Sequence, residues 1–176
     1  MTDQGGGFPK FAKDIVTESL VARVKGMILK PAEEWKLVEA EATDSRGIYV
    51  NYVAVLAAIG AIAGFIGGSL IGYSTFIGTF RTPILSGLIS AIIMYVLSFA
   101  AVFVVALIVD AFAPTFGGTK DPLRALKVTA YSYTPAWVAA VFSVIPSLAW
   151  IGVLAGLYGI YVLYLGLPVL MKAPKE

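Results

Sequence analysis

The chain has 176 residues, of which 59% are hydrophobic and 14% charged, and its mean hydropathy is +0.85. Soluble domains run at about 45–50% apolar and about 25% charged, so this composition describes one helical domain embedded in a membrane. There is no Cys and no His, which excludes thiol nucleophiles, thiolate metal sites, Ser–His and Cys–His dyads and an imidazole base; the net charge of +2, mixed in sign, gives no footprint for nucleic acid.

Residues 1–10, MTDQGGGFPK, read as a disordered tip, because three consecutive glycines favour neither helix nor core. No basic segment leads into an apolar one there, so no cleavable signal peptide is expected and the first spanning helix serves as the targeting element. From Phe11 the pattern changes. Phe11, Ile15, Val16, Leu20, Val21, Val24, Met27 and Ile28 recur at helical spacing, with Lys13, Asp14, Glu18, Arg23 and Lys25 on the other side. Residues 11–46 are therefore expected to form an amphipathic region lying on the membrane interface, the alternative being a helix that packs on a cytoplasmic partner. Pro31 ends or kinks this helix, and residues 32–42 form a second, short one carrying Trp35 and Leu37.

A transmembrane domain follows over residues 47–172, with a tail at 173–176. A spanning helix needs about 20 apolar residues. Residues 48–73 meet this without any charge, and a short loop then carries Arg81. Residues 83–113 form the second span, with Asp110 its one charge, and a polar loop over 114–127 holds Gly117, Gly118, Lys120, Asp121 and Arg124. The third span, 128–145, is interrupted by Pro135, and the fourth, 148–171, follows Pro146 and Ser147 almost at once. The fold class is thus all-α, a polytopic transmembrane bundle with four visible spans and an N-terminal amphipathic interfacial helix. In a four-span arrangement Lys10, Lys13, Arg23, Lys25, Lys30, Lys36, Arg46, Lys120, Arg124, Lys127, Lys172 and Lys175 fall on one side, and Arg81 on the other. Short loops rich in Lys and Arg stay in the cytoplasm, so both termini are expected there.

Two features inside the spans bear on function. The first is glycine at every fourth position: Gly60, Gly64, Gly68 and Gly72 in the first span, Gly152 and Gly156 in the fourth. Small-residue stripes let helix backbones approach closely, either within the bundle or between copies. The second is a candidate polar cluster or ligand site. Asp110 is the one acidic residue inside a span, and intramembrane acids are functional candidates by default. Tyr131, Tyr133 and Thr134 begin the third span, and Tyr158, Tyr161 and Tyr164 recur along the fourth. Their hydroxyls need partners or water, as a buried polar lock, a lipid or small-ligand site, or an interfacial aromatic belt. Pro135 frees a carbonyl one turn earlier and kinks its span. No metal site and no cofactor motif is present, and a single marginal acid disfavours an ion-coupled transporter.

The segments GGTKDPLRALKVTAYSYTPAWVAAVFSVIP (117–146), GLYGIYVLYLGLPVLMKAP (156–174) and KGMILKPAEEW (25–35) together resemble bacterial members of the Yip1 family of multispanning membrane proteins. The more specific parts are the Tyr-x-Tyr-x-Pro block at Tyr131, Tyr133 and Pro135, the Gly-Leu-Tyr-Gly block at 156–159, and the proline placed before a tryptophan, here Pro31 and Trp35. The family typically has five spans, so either a further apolar segment follows the region of Lys172, Pro174 and Lys175, which would put the C-terminus outside, or this member has four; the resemblance also implies a bacterial inner membrane. Its eukaryotic members are linked to Rab GTPases and vesicle traffic, which a bacterium lacks, and it supplies no catalytic residues. The expected function is a non-enzymatic scaffold or accessory subunit that binds other membrane proteins, a second copy of itself, or membrane lipids. The rival is a small-molecule or lipid transporter with a cavity around Asp110, Tyr133, Pro135, Tyr158 and Tyr161.

Overall fold

Three helices are long and apolar enough to cross a membrane, Ser45–Ile71, Ile84–Phe116 and Pro146–Leu170, in a computed structural model that describes residues 10–174. Of the expected disordered tip, residues 1–9 lie outside the described residues, as do residues 175–176 of the tail. The fold is an all-α membrane bundle.

Asp44 starts the first span, its carboxylate accepting from the Gly47 N–H at 2.9 Å and satisfying one of the free donors at a helix start. The span is not uniformly α-helical. Two π turns, Tyr49–Val53 and Ile66–Ile71, interrupt it, and such turns rotate the side chains that follow and often mark functional positions. Gly72, at φ 90, then closes the helix, a left-handed conformation that favours glycine. The expected short loop is instead a hairpin of β1 (Tyr73–Thr75) and β2 (Gly78–Phe80), antiparallel, with Tyr73 opposite Phe80 and Ser74 opposite Thr79. Thr82 N–H donates back to the Gly68 carbonyl at 2.9 Å, which folds the hairpin against the end of the span.

The second span, Ile84–Phe112, has 29 residues and at about 1.5 Å per residue reaches roughly 44 Å, beyond the hydrocarbon thickness of about 30 Å. Only 11% of its most apolar window is buried within the chain, so most of this helix faces lipid.

The third expected span is a broken segment. It consists of a helix Pro122–Ser132, a short helix Thr134–Ala139 and a 3-10 stretch Ala140–Val144. Asp121 caps its start, accepting from the Leu123 and Arg124 N–H groups at 3.0 and 3.1 Å, with Pro122 at the first helical position. The segment runs parallel to the first span. Thr134 meets Tyr52, a Cβ at Gly60 would lie 3.2 Å from the Ala140 side chain, and one at Gly67 would lie 1.9 Å from the Ser143 carbonyl oxygen. Pro146–Leu148 then makes a tight 3-10 turn into the last long helix, Trp150–Leu170.

The N-terminal region departs furthest from the expectation. Helix α1 (Lys10–Leu29) and helix α2 (Pro31–Ala40) meet at Pro31, and α2 lies against the last span rather than only on a membrane surface. Met27, Trp35 and Val38 are fully buried, in one core with Tyr52, Val53, Tyr131, Val162 and Leu170. The Trp35 Nε1–H donates to the Val162 carbonyl at 3.0 Å. That approach depends on Gly166, where a Cβ would sit 2.6 Å from the Trp35 ring.

Candidate functional site

The described polar groups gather at the charged end of the bundle, opposite the β-hairpin. Their positions follow from three local features: the first π turn, the break at Pro135, and the turn at Pro31. Pro135 has no N–H, so the Tyr131 carbonyl loses its helical donor. The Thr134 hydroxyl takes that place, donating to the Tyr131 oxygen at 2.5 Å. Its single proton is thereby used, so the Tyr52 hydroxyl donates to Thr134 Oγ1 at 2.6 Å. Tyr52 also meets the Tyr131 ring edge-on, with centroids 4.6 Å apart. The arrangement is a buried lock between the first span and the broken segment, with Thr134 fully enclosed and Pro135 buried.

Arg23 closes this lock from α1. Its guanidinium lies 5.6 Å from the Tyr131 ring centre, pairs with Glu34 at 2.6 Å and also with Glu41. A cation on an aromatic face gains about 0.5–2 kcal/mol, depending on desolvation. Lys127, buried, donates to the Val38 carbonyl at 3.3 Å and the Glu41 carbonyl at 2.5 Å, an ammonium placed where a helix C-terminus leaves carbonyls free. Burial holds its pKa below the ordinary lysine value. Lys172 pairs with Glu39 and so ties the end of the last span to α2. That hydrogen bond keeps the Glu39 carboxyl below its ordinary range.

The expected single polar cluster is divided by the structure. Tyr131, Thr134 and Pro135 belong to the lock. Tyr133 stacks on Trp137 at 5.4 Å and lines a separate apolar groove of about 230 Å3 beside Gly156 and Gly159. The Tyr158 hydroxyl donates to the Ile28 carbonyl at 2.8 Å, tying the end of α1 to the last span. Tyr161 and Tyr164 are more than half exposed on the outer face. None of these residues lines the cavity of Asp110, which it shares with Ser45, Tyr49 and Leu126. Asp110 and Tyr133 thus line two different cavities.

The glycines divide too. Gly60 packs tightly, Gly68 makes ordinary contacts with Thr82 and Tyr73, and Gly72 serves the turn, whereas a Cβ at Gly64, Gly152 or Gly156 would meet nothing within 4 Å. Within the three long spans the closest approaches are at Gly67, Gly87, Gly159 and Gly166, all four outside both stripes' spacing. Sequence reasoning also passed over Tyr49 and Tyr52 as site residues. Two tyrosines beside Asn51 at the head of an otherwise apolar span were the available signal.

The model of the Yip1 domain matches residues 25–176, nearly the whole chain. The chain belongs to the Yip1 family. This domain takes in the end of α1, all of α2 and every element after it, so the docking of Trp35 on the last span and the Tyr52–Thr134 lock lie within the Yip1 domain, while Arg23 precedes it. Yip1 is not known as an enzyme family. Neither the curated proteins nor the solved structures gave a match.

Proposed function

We propose that this Yip1-family protein is a non-enzymatic scaffold or accessory subunit of a bacterial inner membrane, with its charged end in the cytoplasm, that associates through its last span with another membrane protein or a second copy of itself. The observation that supports this reading is the open small-residue face of that span. Gly152 and Gly156 lie one turn apart, and a Cβ at either would meet no atom of the chain within 4 Å. In lipid, where no hydrophobic force drives helices together, close backbone packing at small residues is a main source of association. The bundle's own packing uses other glycines, so this face is free for a partner.

A carrier role has less support, since the polar groups sit in separate small cavities instead of one continuous path. The orientation rests on the placement of Lys and Arg. An impermeant maleimide should label Ile77→Cys but not Lys36→Cys in intact cells, and the reverse would invert the topology.

The absence of native cysteine makes single-cysteine cross-linking in membranes clean. Gly156→Cys should cross-link to a discrete partner band, or to itself, several-fold more than Ile92→Cys on the lipid-facing second span. Equal, diffuse cross-linking at both positions would remove the partner reading.

A further inference from the structure

Asp110 is 6% exposed, and its Oδ1 has no hydrogen-bond partner; the Tyr49 hydroxyl is likewise enclosed and unpartnered. Both residues line one cavity of about 180 Å3. Every ion pair among the described residues lies elsewhere. Two orphaned oxygens facing the same space are costly: a buried polar group without a partner loses about 1–3 kcal/mol, more if it is charged. The first π turn is the reason they share it. It places Tyr49 toward the second span and Tyr52 toward the broken segment.

The chemistry of the cavity narrows its occupant. Its polar lining consists of a carboxylate, a phenol and the Ser45 side chain at the rim, all oxygen and suited to N–H donors. A divalent cation asks for more carboxylates, and no group of three or more His, Cys, Asp or Glu exists among the described residues. The remaining wall is apolar, and two of its members, Phe103 and Leu107, are half exposed on the lipid-facing side of the second span. An opening with an acid at its back and a lipid-facing apolar lip, at the end of the bundle where charged side chains collect, matches a molecule with a cationic head and a hydrocarbon tail. The volume exceeds that of one water, whose share of liquid is about 30 Å3, and accommodates an aminoethyl group.

We propose that Asp110 and Tyr49 form a binding site for the primary ammonium headgroup of a membrane lipid, with its acyl chain running along Phe103 and Leu107. Asp110 accepts one N–H and Tyr49 another. A trimethylated ammonium has no N–H to offer, and an anionic headgroup is repelled by the carboxylate, so the site discriminates among lipids of equal chain length.

Native mass spectrometry of the full chain in detergent, titrated with phosphatidylethanolamine, phosphatidylcholine or phosphatidylglycerol of identical acyl chains, tests this. Phosphatidylethanolamine should form a one-to-one adduct at roughly tenfold lower concentration than either of the others, the preference one charge-assisted hydrogen bond confers. Asp110→Asn should abolish the preference. Tyr49→Phe should weaken it several-fold while leaving the melting temperature of the lipid-free protein unchanged or higher, because that hydroxyl makes no bond to lose. A merely structural role for Tyr49 moves both quantities down together. Equal adducts for the three lipids, or an undiminished preference in Tyr49→Phe and Asp110→Asn, would overturn the site. Displacement of the lipid by an equal concentration of free ethanolamine would overturn its assignment to a lipid.

Discussion

Trp35 and Gly166 show how much of this structure turns on single positions. The indole is fully buried and its Nε1–H reaches the Val162 carbonyl because the backbone at Gly166 carries no side chain. Even one added methyl there has to displace the ring or Val128, 2.6 Å away, and overpacking a tight core costs about 1–3 kcal/mol. Gly166→Ala is thus expected to lower the melting temperature in detergent by several degrees, whereas Gly156→Ala, with open space at its Cβ, leaves it unchanged or slightly higher through improved helix propensity. Equal effects would mean that α2 does not bear on the last span there. Lys127 offers a test through pH. Burial lowers its pKa in the folded protein relative to 10.5, so the folded state gives up this proton first. The burial penalty is present in full below the depressed value and is relieved as pH rises to 10.5; stability gains over that interval. Lys127→Met should lower stability at pH 7 by about 1–3 kcal/mol, through the lost bonds to the Val38 carbonyl of α2 and the Glu41 carbonyl just after it, and should lack the alkaline gain, as thermal melts at pH 7 and above 10 will read. The sequence marked Trp35 and the basic residues, and assigned both to a membrane surface. Nothing local to Trp35 announces that its partner is a glycine more than a hundred residues away.

At the scale of the element, the long helices were the most legible part. Expected spans over 48–73, 83–113 and 148–171 correspond to Ser45–Ile71, Ile84–Phe112 and Trp150–Leu170, because uninterrupted apolar length leaves a lipid-embedded backbone no alternative to helix. The break at Pro135 was legible as a kink, and its consequence was not. The carbonyl that proline frees is taken by the hydroxyl of the residue just before it, which then becomes the acceptor for Tyr52. Thr134→Val removes the donor and acceptor while keeping the shape, leaving the Tyr131 carbonyl and the Tyr52 hydroxyl buried without partners. A loss of about 2 kcal/mol or more is expected, with Thr134→Ser restoring most of it in the same detergent melt; if valine is tolerated as well as serine, the lock contributes little. The β-hairpin and the π turns were not legible. The hairpin's residues continue the apolar composition of the span before it, and a π turn adds one residue to a helical turn without any change of residue type.

For the whole molecule, the separation of a charged end from a nearly uncharged one follows from where Lys and Arg fall along the chain. How the charged end is built does not. An amphipathic segment seen in isolation fits a membrane surface and a protein surface equally well, and the apolar face of α1 and α2 proves to contribute to the bundle's own core. The polar cluster was read as one site because its members share a depth along the spans. Depth is what hydropathy encodes, whereas which face a residue turns to its neighbours is set by packing between segments. The same packing leaves Gly152 and Gly156 bare and closes the surface around Trp35, which is why association is assigned to the last span and not to α2.

That the N-terminal helices form part of the bundle is the claim on which the rest depends, and cysteine cross-linking with a short bridging reagent in native membranes tests it most directly. Glu39 and Lys172 are in contact across 133 positions of sequence, in a chain with no cysteine of its own. The double variant Glu39→Cys with Lys172→Cys should be bridged within one chain by a short bis-maleimide, seen as faster gel migration, while Glu39→Cys with Arg81→Cys should not. Failure of the first pair to close faster than the second would place α2 away from the last span and contradict the account.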